Sequence, residues 1–387
     1  MRRPLLSARL HGFTSTIFAE MSALAVQTGA INLGQGFPDV DGPAQVREAA
    51  KAAIDGGANQ YPPGPGIPSL LSAVAEHQHR FYGMRLDPAS EVLVTTGATE
   101  AIAAAMLALL EPGDEVVVLE PYYDSYAATI SMAGAVRKPV TLRAPHFALP
   151  RDELAAAVTD RTRLILLNTP HNPTGAVLSR ADLEHVAALA VEHDLLVVSD
   201  EVYEHMTFDG LPHVPIATLP GMWERTLTIS SAGKTFALTG WKIGWCCGPA
   251  EIVGAVRAAK QFLTYVSGAP LQPAIAQALA MPDEYYADIA ADLQRKRDLL
   301  RAGLVAAGFA VNDCRGTYFL SADARSVGYD DGIELCRDLP GRCGVVAVPM
   351  SVFYDDLEQG RPLVRFAFCK RDDVLAEAAD RLSRLTT

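Results

Sequence analysis

Between Val92 and Leu263 the sequence alternates short apolar runs with longer helix-forming stretches. The runs are Val92–Thr95, Glu115–Leu119, Arg163–Leu167, Leu195–Ser199, Thr226–Ser230 and Ile243–Cys247. They are rich in Val, Ile and Leu and read as buried strands. Between them lie Ala98–Leu110, Tyr123–Met132, Ser179–Glu192 and Glu251–Leu263, which read as helices. Strand–helix alternation of this kind predicts an α/β fold, with a largely parallel sheet covered by helices on both faces. Open sheets of that type bind ligands just past the ends of their strands.

The two ends of the chain read differently. Residues before about Gly42 form an arm and a short helix. After about Met281 comes a long amphipathic stretch, Glu284–Ala307, then short strands at Tyr318–Leu320, Val345–Val348 and Val364–Phe368, and a final helix, Asp373–Leu385. A length of 387 residues accommodates two domains. The expected division is 1–42 as the arm and part of a small domain, 43–281 as the large domain, and 282–387 as the rest of the small one. No internal repeat is visible.

Composition narrows the function. A formal net charge of −12 is the wrong sign for a non-specific nucleic-acid binder. Apolar residues make up 49% and charged residues 20%, as in a soluble globular protein. The N-terminal Met1–His11 carries charge but no long apolar stretch after it, so it does not read as a secretory signal. No segment reads as a membrane span. The six cysteines form no CxxC pair and no metal-ligand spacing, which predicts free thiols in a reducing cytoplasm.

The residues that carry chemistry sit past the strand ends. Ser230-Ser231-Ala232-Gly233-Lys234-Thr235-Phe236 sets one lysine in a small-residue loop with hydroxyls, and Trp241-Lys242-Ile243-Gly244-Trp245 adds a second cation. An amine able to form a Schiff base, with hydroxyls and positive charge for a phosphate, is what pyridoxal 5'-phosphate (PLP) needs. Thr96-Gly97-Ala98-Thr99-Glu100 opens a helix whose first amides lack internal partners, and these suit the phosphate. Many strand–helix turns look alike, so that signal counts only beside Ser231 and Lys242. Lys234 must attack as a neutral amine. Lowering an ordinary lysine to about pH 7 takes roughly 4–5 kcal/mol, which desolvation and neighbouring cations can supply. The freed amine can then carry the substrate Cα proton to the cofactor.

Asp200, in Asp200-Glu201-Val202-Tyr203, is the predicted partner of a pyridine nitrogen, which it keeps protonated as an electron sink. A helix N-cap is its alternative role. Tyr203 and Asn172, the latter in Asn172-Pro173-Thr174-Gly175, are placed to hydrogen-bond the ring hydroxyl; a plain turn is the alternative for Asn172. Tyr123 either stacks on the ring or fills the core. Arg365 is a lone arginine in Val364-Arg365-Phe366, suited to clamping a carboxylate ligand or to a structural ion pair. The histidines include no HExxH, and His77 with His79 reads as an exposed helix face, so no metal is expected.

Taken together, these segments resemble the class I/II PLP-dependent aminotransferases of fold type I, from about Asn32 to Arg365. Leu33-Gly34-Gln35-Gly36-Phe37-Pro38, Asn59-Gln60-Tyr61 and Gly240–Trp245 are similar to the group that holds kynurenine aminotransferases, glutamine transaminases and bacterial N-succinyldiaminopimelate aminotransferases. Tyr61-Pro62-Pro63-Gly64-Pro65-Gly66 and Phe368–Asp373 look most like the succinyldiaminopimelate enzymes. The resemblance implies a large domain with a mostly parallel seven-stranded sheet and a smaller α+β domain from both chain ends. It implies that Lys234 bonds the cofactor, Asp200 pairs with the ring nitrogen, and Tyr203 and Asn172 bind the ring oxygen. Tyr123 stacks on the ring, and Ala98, Thr99, Ser231 and Lys242 hold the phosphate. Arg365 and the Gly36 backbone hold the substrate α-carboxylate. The family is homodimeric, so Tyr61 would reach the neighbour's phosphate and Tyr265 would line the neighbour's pocket.

Two features depart from parts of the family. Lys242 stands where many members have arginine, and Val266-Ser267-Gly268 follows Tyr265 where mammalian kynurenine enzymes have a histidine. The expected activity is transfer of an amino group between an amino acid and an oxo acid such as 2-oxoglutarate, with N-succinyl-LL-diaminopimelate as the favoured substrate. A kynurenine or glutamine transaminase with C–S lyase side activity is the alternative. Ser231-Ala232-Gly233-Lys234 also matches the S-x-x-K of penicillin-binding serine enzymes, but the companion KTG and SDN triplets are missing. A binding protein that kept the fold and lost turnover is disfavoured by the retention of Lys234, Asp200 and Arg365 together.

Overall fold

The computed structural model describes residues 5–13 and 17–386; Met1–Pro4 and Thr14–Thr16 of the expected arm lie outside the described residues. Helix α1 (Ile17–Thr28) leads to a short strand β1 (Ile31–Asn32), then α2 (Ala44–Asp55) and α3 (Pro68–Tyr82). The alternating region follows as β2 (Val92–Thr96), α4 (Gly97–Leu109), β3 (Glu115–Glu120), α5 (Asp124–Ala133), β4 (Val136–Thr141), α6 (Arg151–Ala157), β5 (Thr162–Asn168), α7 (Arg180–Glu192), β6 (Leu196–Asp200), β7 (Thr226–Ser231), α8 (Ala232–Thr235), β8 (Ile243–Cys247) and α9 (Ala250–Lys260). The chain continues through α10 (Gln272–Leu279), α11 (Asp283–Ala306), β9 (Ala310–Val311), β10 (Phe319–Asp323), α12 (Gly332–Arg342), β11 (Val345–Val346) and β12 (Val348–Pro349). It ends with α13 (Leu357–Gly360), β13 (Leu363–Ala367) and α14 (Asp372–Leu382).

The main sheet has seven strands in the order β2-β8-β7-β6-β5-β3-β4. Its pairings are parallel from β7 to β4, and β8 alone runs against both of its neighbours. Successive residues of a strand face opposite sides, and here both sides are dry. Val116, Val118, Leu164, Leu166 and Ile229 pack into one core with α4, α5 and α9. Val117, Leu119, Ile165, Leu167 and Val197 pack into the other, which runs on without a break to Leu300, Leu304 and Phe366. This two-sided burial is why β3, β5 and β6 carry continuous apolar runs rather than alternating, while β7 buries threonine and serine beside Leu227 and Ile229.

A four-stranded antiparallel sheet, β12-β13-β10-β9, carries Arg365 on β13. The arm joins this end of the chain through the parallel pair β1 and β11. The segment expected as one strand, Val345–Val348, is split: Val345–Val346 pairs with the arm, and Val348–Pro349 pairs with β13.

Other differences from the sequence reading have local causes. Strand β4 was not expected, because Arg137, Lys138 and Pro139 interrupt its apolar pattern; it lies at the sheet edge, where charge and proline are tolerated. Helix α9 ends at Lys260, short of the predicted Leu263, and the exposed Phe262 lies in the turn beyond. Helix α7 begins as read, with Ser179 and Asp182 forming a reciprocal capping box. All six cysteines are buried free thiols. Among the described residues, no helix is long and apolar enough to cross a membrane.

Candidate active site

The site is assembled where β7 ends and β8 returns. The chain leaves β7 at Ser231, turns through α8, which bears Lys234, and passes Lys242 in a left-handed conformation (φ 54°) before entering β8. Ser231 then lies opposite Gly244 in the antiparallel register. A side chain at Gly244 would put its Cβ 2.6 Å from the Gly97 carbonyl carbon and 2.8 Å from the Ala98 nitrogen, so glycine is what lets β8 press against the start of α4. That contact gathers four groups suited to an anion. They are the first amides of α4 at Ala98 and Thr99, the Ser231 hydroxyl, and the Lys242 ammonium, whose Nζ donates to Thr99 Oγ1 at 3.4 Å.

From this end a cavity of about 370 Å³ runs between the sheet edge and the β10–β13 sheet. Gly36, Ala98, Thr99, Tyr123, Asn172, Asp200, Tyr203, Ser231, Lys234, Lys242 and Arg365 all line it. Lys234 donates from Nζ to the Tyr318 hydroxyl at 2.8 Å. Burial lowers its amine from 10.5 to about 8, against the smaller opposing pull of Cys369 and Asp200. Asp200, at the C-terminal end of β6, is 4% exposed. Burial raises its carboxyl to about 6, while a 2.6 Å hydrogen bond from the Tyr126 hydroxyl and one from the Val202 amide work the other way. Burial pushes the Tyr203 phenol well above its ordinary range, so it remains a neutral donor.

Arg365 is buried, and among the described residues it forms no ion pair. Its Nη1 donates to Asn172 Oδ1 at 3.1 Å and its Nη2 to the Gly34 carbonyl at 3.0 Å, leaving Nε without a partner. Three aromatic rings surround the guanidinium, Phe319 at 4.0 Å, Phe353 at 5.0 Å and Phe18 at 5.5 Å. Their faces stabilise the cation without neutralising it. Burial still drags it down to about 10, so a carboxylate arriving in the cavity would supply the counter-charge the fold omits. The ion-pair alternative for Arg365 is therefore overturned.

Two expected residues lie elsewhere within this chain. Tyr61 is 81% exposed, Tyr265 is 49% exposed, and they pack edge to face 5.4 Å apart on the surface, outside the cavity. Tyr126 and Tyr318 carried no sequence signal of their role, although both make the shortest polar contacts of Asp200 and Lys234. Asn168, which accepts from the Asn172 amide at 2.8 Å and donates to the Asp200 carbonyl at 2.9 Å, was also missed. The reading of His77 is corrected: it is buried on α3, and only His79 is exposed. His77 Nε2 lies 2.8 Å from His205 Nε2, and with Glu204 these residues bring three ligand-type atoms within 4.8 Å of one another. The two ring nitrogens already hydrogen-bond each other.

The cavity fits a flat, phosphate-bearing pyridine aldehyde on its own chemistry. Its volume lies within the range of small-ligand sites. Anion donors stand at one end, a buried carboxylate and a neutral phenol stand along it, and an amine near neutrality projects from its wall.

Comparison with known proteins agrees with this layout. The profile of the family described as aminotransferase class I and II matches residues 28–382. A probable N-succinyldiaminopimelate aminotransferase of Mycobacterium tuberculosis is 55% identical over 388 residues, covering 98% of each chain. The methionine aminotransferase of Escherichia coli is 42% identical over 99% of each. The solved structure of the N-succinyldiaminopimelate aminotransferase from Mycobacterium tuberculosis superposes with a TM-score of 0.96 at 56% identity, covering 98% of this chain and 100% of that one. The fold, the lysine loop and the open arginine thus have one reading: the chain belongs to the class I and II aminotransferases, a family of PLP-dependent enzymes, and is itself an aminotransferase.

Proposed function

We propose that the enzyme transfers an amino group between N-succinyl-LL-diaminopimelate and 2-oxoglutarate. The observation that carries this choice is the 55% identity, over nearly the full length of both chains, with a relative named for that substrate. The relative named for methionine stands at 42%.

Bound in the cavity, PLP supplies an aldehyde for amine exchange and a ring that withdraws electrons. The residues of this chain do the rest. Lys234, with its amine near 8, is partly neutral at neutral pH and can take up and return the Cα proton. Asp200 presents a carboxylate that is anionic above about pH 6 to the ring nitrogen. Asn172 gives its Oδ1 to Arg365, which leaves its amide nitrogen to join the Tyr203 phenol as a donor to the ring oxygen. Tyr123 covers one ring face. Ala98, Thr99, Ser231 and Lys242 hold the phosphate. Arg365, with the Gly36 backbone, receives the α-carboxylate.

We assign the working form as a homodimer, in which Tyr61 reaches the partner's phosphate and Tyr265 lines the partner's pocket; their exposure here supports this. Residues 43–281 form the cofactor-bearing domain, with 1–42 and 282–387 as the smaller one. The buried free thiols support a cytoplasmic location.

The test is the absorbance of the PLP-loaded protein before and after adding N-succinyl-LL-diaminopimelate, with methionine, kynurenine and glutamine in parallel. Conversion of the cofactor to its amine form should occur at the lowest concentration with the succinylated compound. Conversion by methionine or kynurenine without it would discard the substrate assignment and keep the aminotransferase.

A further inference from the structure

We infer that Tyr318 is the positioning residue for Lys234, holding its amine through an N–H so that the lone pair stays free for chemistry. This rests on the reading of Lys234 as the reacting lysine. Tyr318 is buried at the lip of β10. Its backbone is fixed from both sides: Phe368 N donates to its carbonyl at 2.9 Å, and Thr317 N donates to the Met206 carbonyl at 2.9 Å. Its ring stands edge-on to Tyr203, 5.3 Å away at 87°.

The direction of the hydroxyl proton is set by its second partner. Tyr318 donates to the Gly36 carbonyl at 2.6 Å, and a carbonyl can only accept. Toward Lys234, 2.8 Å away, Tyr318 therefore offers a lone pair, and Lys234 must donate. An amine anchored by its own N–H keeps its lone pair available. A hydroxyl that donated to the nitrogen would occupy that lone pair instead.

The same residue ties the amine to the carboxylate end of the cavity. Gly36 sits on the Leu33–Pro38 segment, whose backbone is proposed to meet the substrate carboxylate. The next residue, Phe319, stacks 4.0 Å from Arg365, and its ring lies 2.6 Å from where a Cβ on Gly36 would stand. Consecutive residues Tyr318 and Phe319 thus set the spacing between the reacting amine and the carboxylate clamp.

Tyr318→Phe removes one oxygen and keeps the ring against Tyr203, so the fold is preserved. The lost oxygen accepts more strongly from an ammonium than from an amine. Without it, burial and the nearby Arg365 and Lys242 charges are opposed only by Cys369 and Asp200, and the Lys234 titration moves down. In the cofactor-free protein, labelling of Lys234 by trinitrobenzenesulfonate, followed by peptide mass spectrometry across pH, should show its midpoint falling by about one pH unit in the variant. The low-pH limb of the amino-acid half-reaction should move with it, and amide exchange at Phe37 should quicken. A midpoint that stays within roughly 0.3 of a pH unit, or rises, overturns the inference. Failure of the underlying reading would look different: Lys234→Ala would still take up PLP with the wild-type spectrum.

Discussion

Asp200→Asn separates what the site does to the fold from what it does for the reaction. Burial raises the Asp200 carboxyl from 3.8 to about 6. A folded-state value above the unfolded one means the native protein holds that proton more tightly. The group is neutral in its effect below the unfolded value and destabilises the native state increasingly as pH rises through both values. Two-odd pH units at 1.36 kcal/mol each give a cost of about 3 kcal/mol at pH 7.5 and roughly half that at pH 5. Asparagine removes the charge that burial penalises. It also has one acceptor oxygen for two donors, the Tyr126 hydroxyl at 2.6 Å and the Val202 amide at 3.3 Å, which gives back about 1 kcal/mol at every pH. The cofactor-free variant should therefore be more stable than wild type at pH 7.5 by about 2 kcal/mol, and the gain should shrink by about 1.4 kcal/mol at pH 5. Denaturant midpoints and slopes at the two pH values measure this, while transamination by the loaded variant should fall sharply. A stability difference that does not change with pH would refute the argument that a buried charge, held ready for the cofactor, is a standing cost to the empty protein.

Two further outcomes follow from the geometry. Arg365→Lys keeps a charge but loses the fork that reaches Asn172 and Gly34, so KM for every amino acid should rise about ten- to a hundredfold with a smaller change in kcat; an unchanged KM would leave Arg365 a packing role only. Gly244→Ala drives a Cβ into the Gly97–Ala98 backbone, which has no rotamer to yield, so thermal stability should drop by about 1–3 kcal/mol and PLP affinity should weaken; a variant normal in both would show that β8 need not press on α4.

The sheet was legible because two-sided burial forces apolar strands: β3, β5 and β6 carry continuous apolar runs, and β7 keeps Leu227 and Ile229 among buried hydroxyl residues. The edge strand β4 was not, because only one of its flanks is paired and its consecutive Arg137 and Lys138 are half-buried, Arg137 being held by Asp355. Site residues on turns were legible for a related reason. A lysine in a small-residue loop and an aspartate closing an apolar strand have few structural motives to be there, so Lys234 and Asp200 stand out, and Asn172, which alone reads as a plain turn, gains its meaning beside them. Tyr126 and Tyr318 do not, because a tyrosine in apolar surroundings is an ordinary core residue until its hydroxyl is seen to end 2.6 Å from a carboxylate or 2.8 Å from an amine. His77 misled for the opposite reason. Its partner His205 is remote in sequence, so nothing local marks one histidine of a helical pair as the buried one.

Because β8 runs against β7, Lys234 and Lys242 hang from a single excursion of the chain between Ser231 and Ile243. With the two lysines in their proposed roles, any fluctuation that lifts this excursion off the sheet would loosen the hold on the aldehyde and on the phosphate of the cofactor at once. A bound cofactor in turn fastens the excursion at both points, and saturating it a thousandfold above its dissociation constant adds about 4 kcal/mol to the free energy of opening. Retention of the cofactor is then governed by one cooperative opening step rather than by two successive releases. The hydrogen-exchange rate of that short segment becomes a direct reading of how long a loaded enzyme stays loaded.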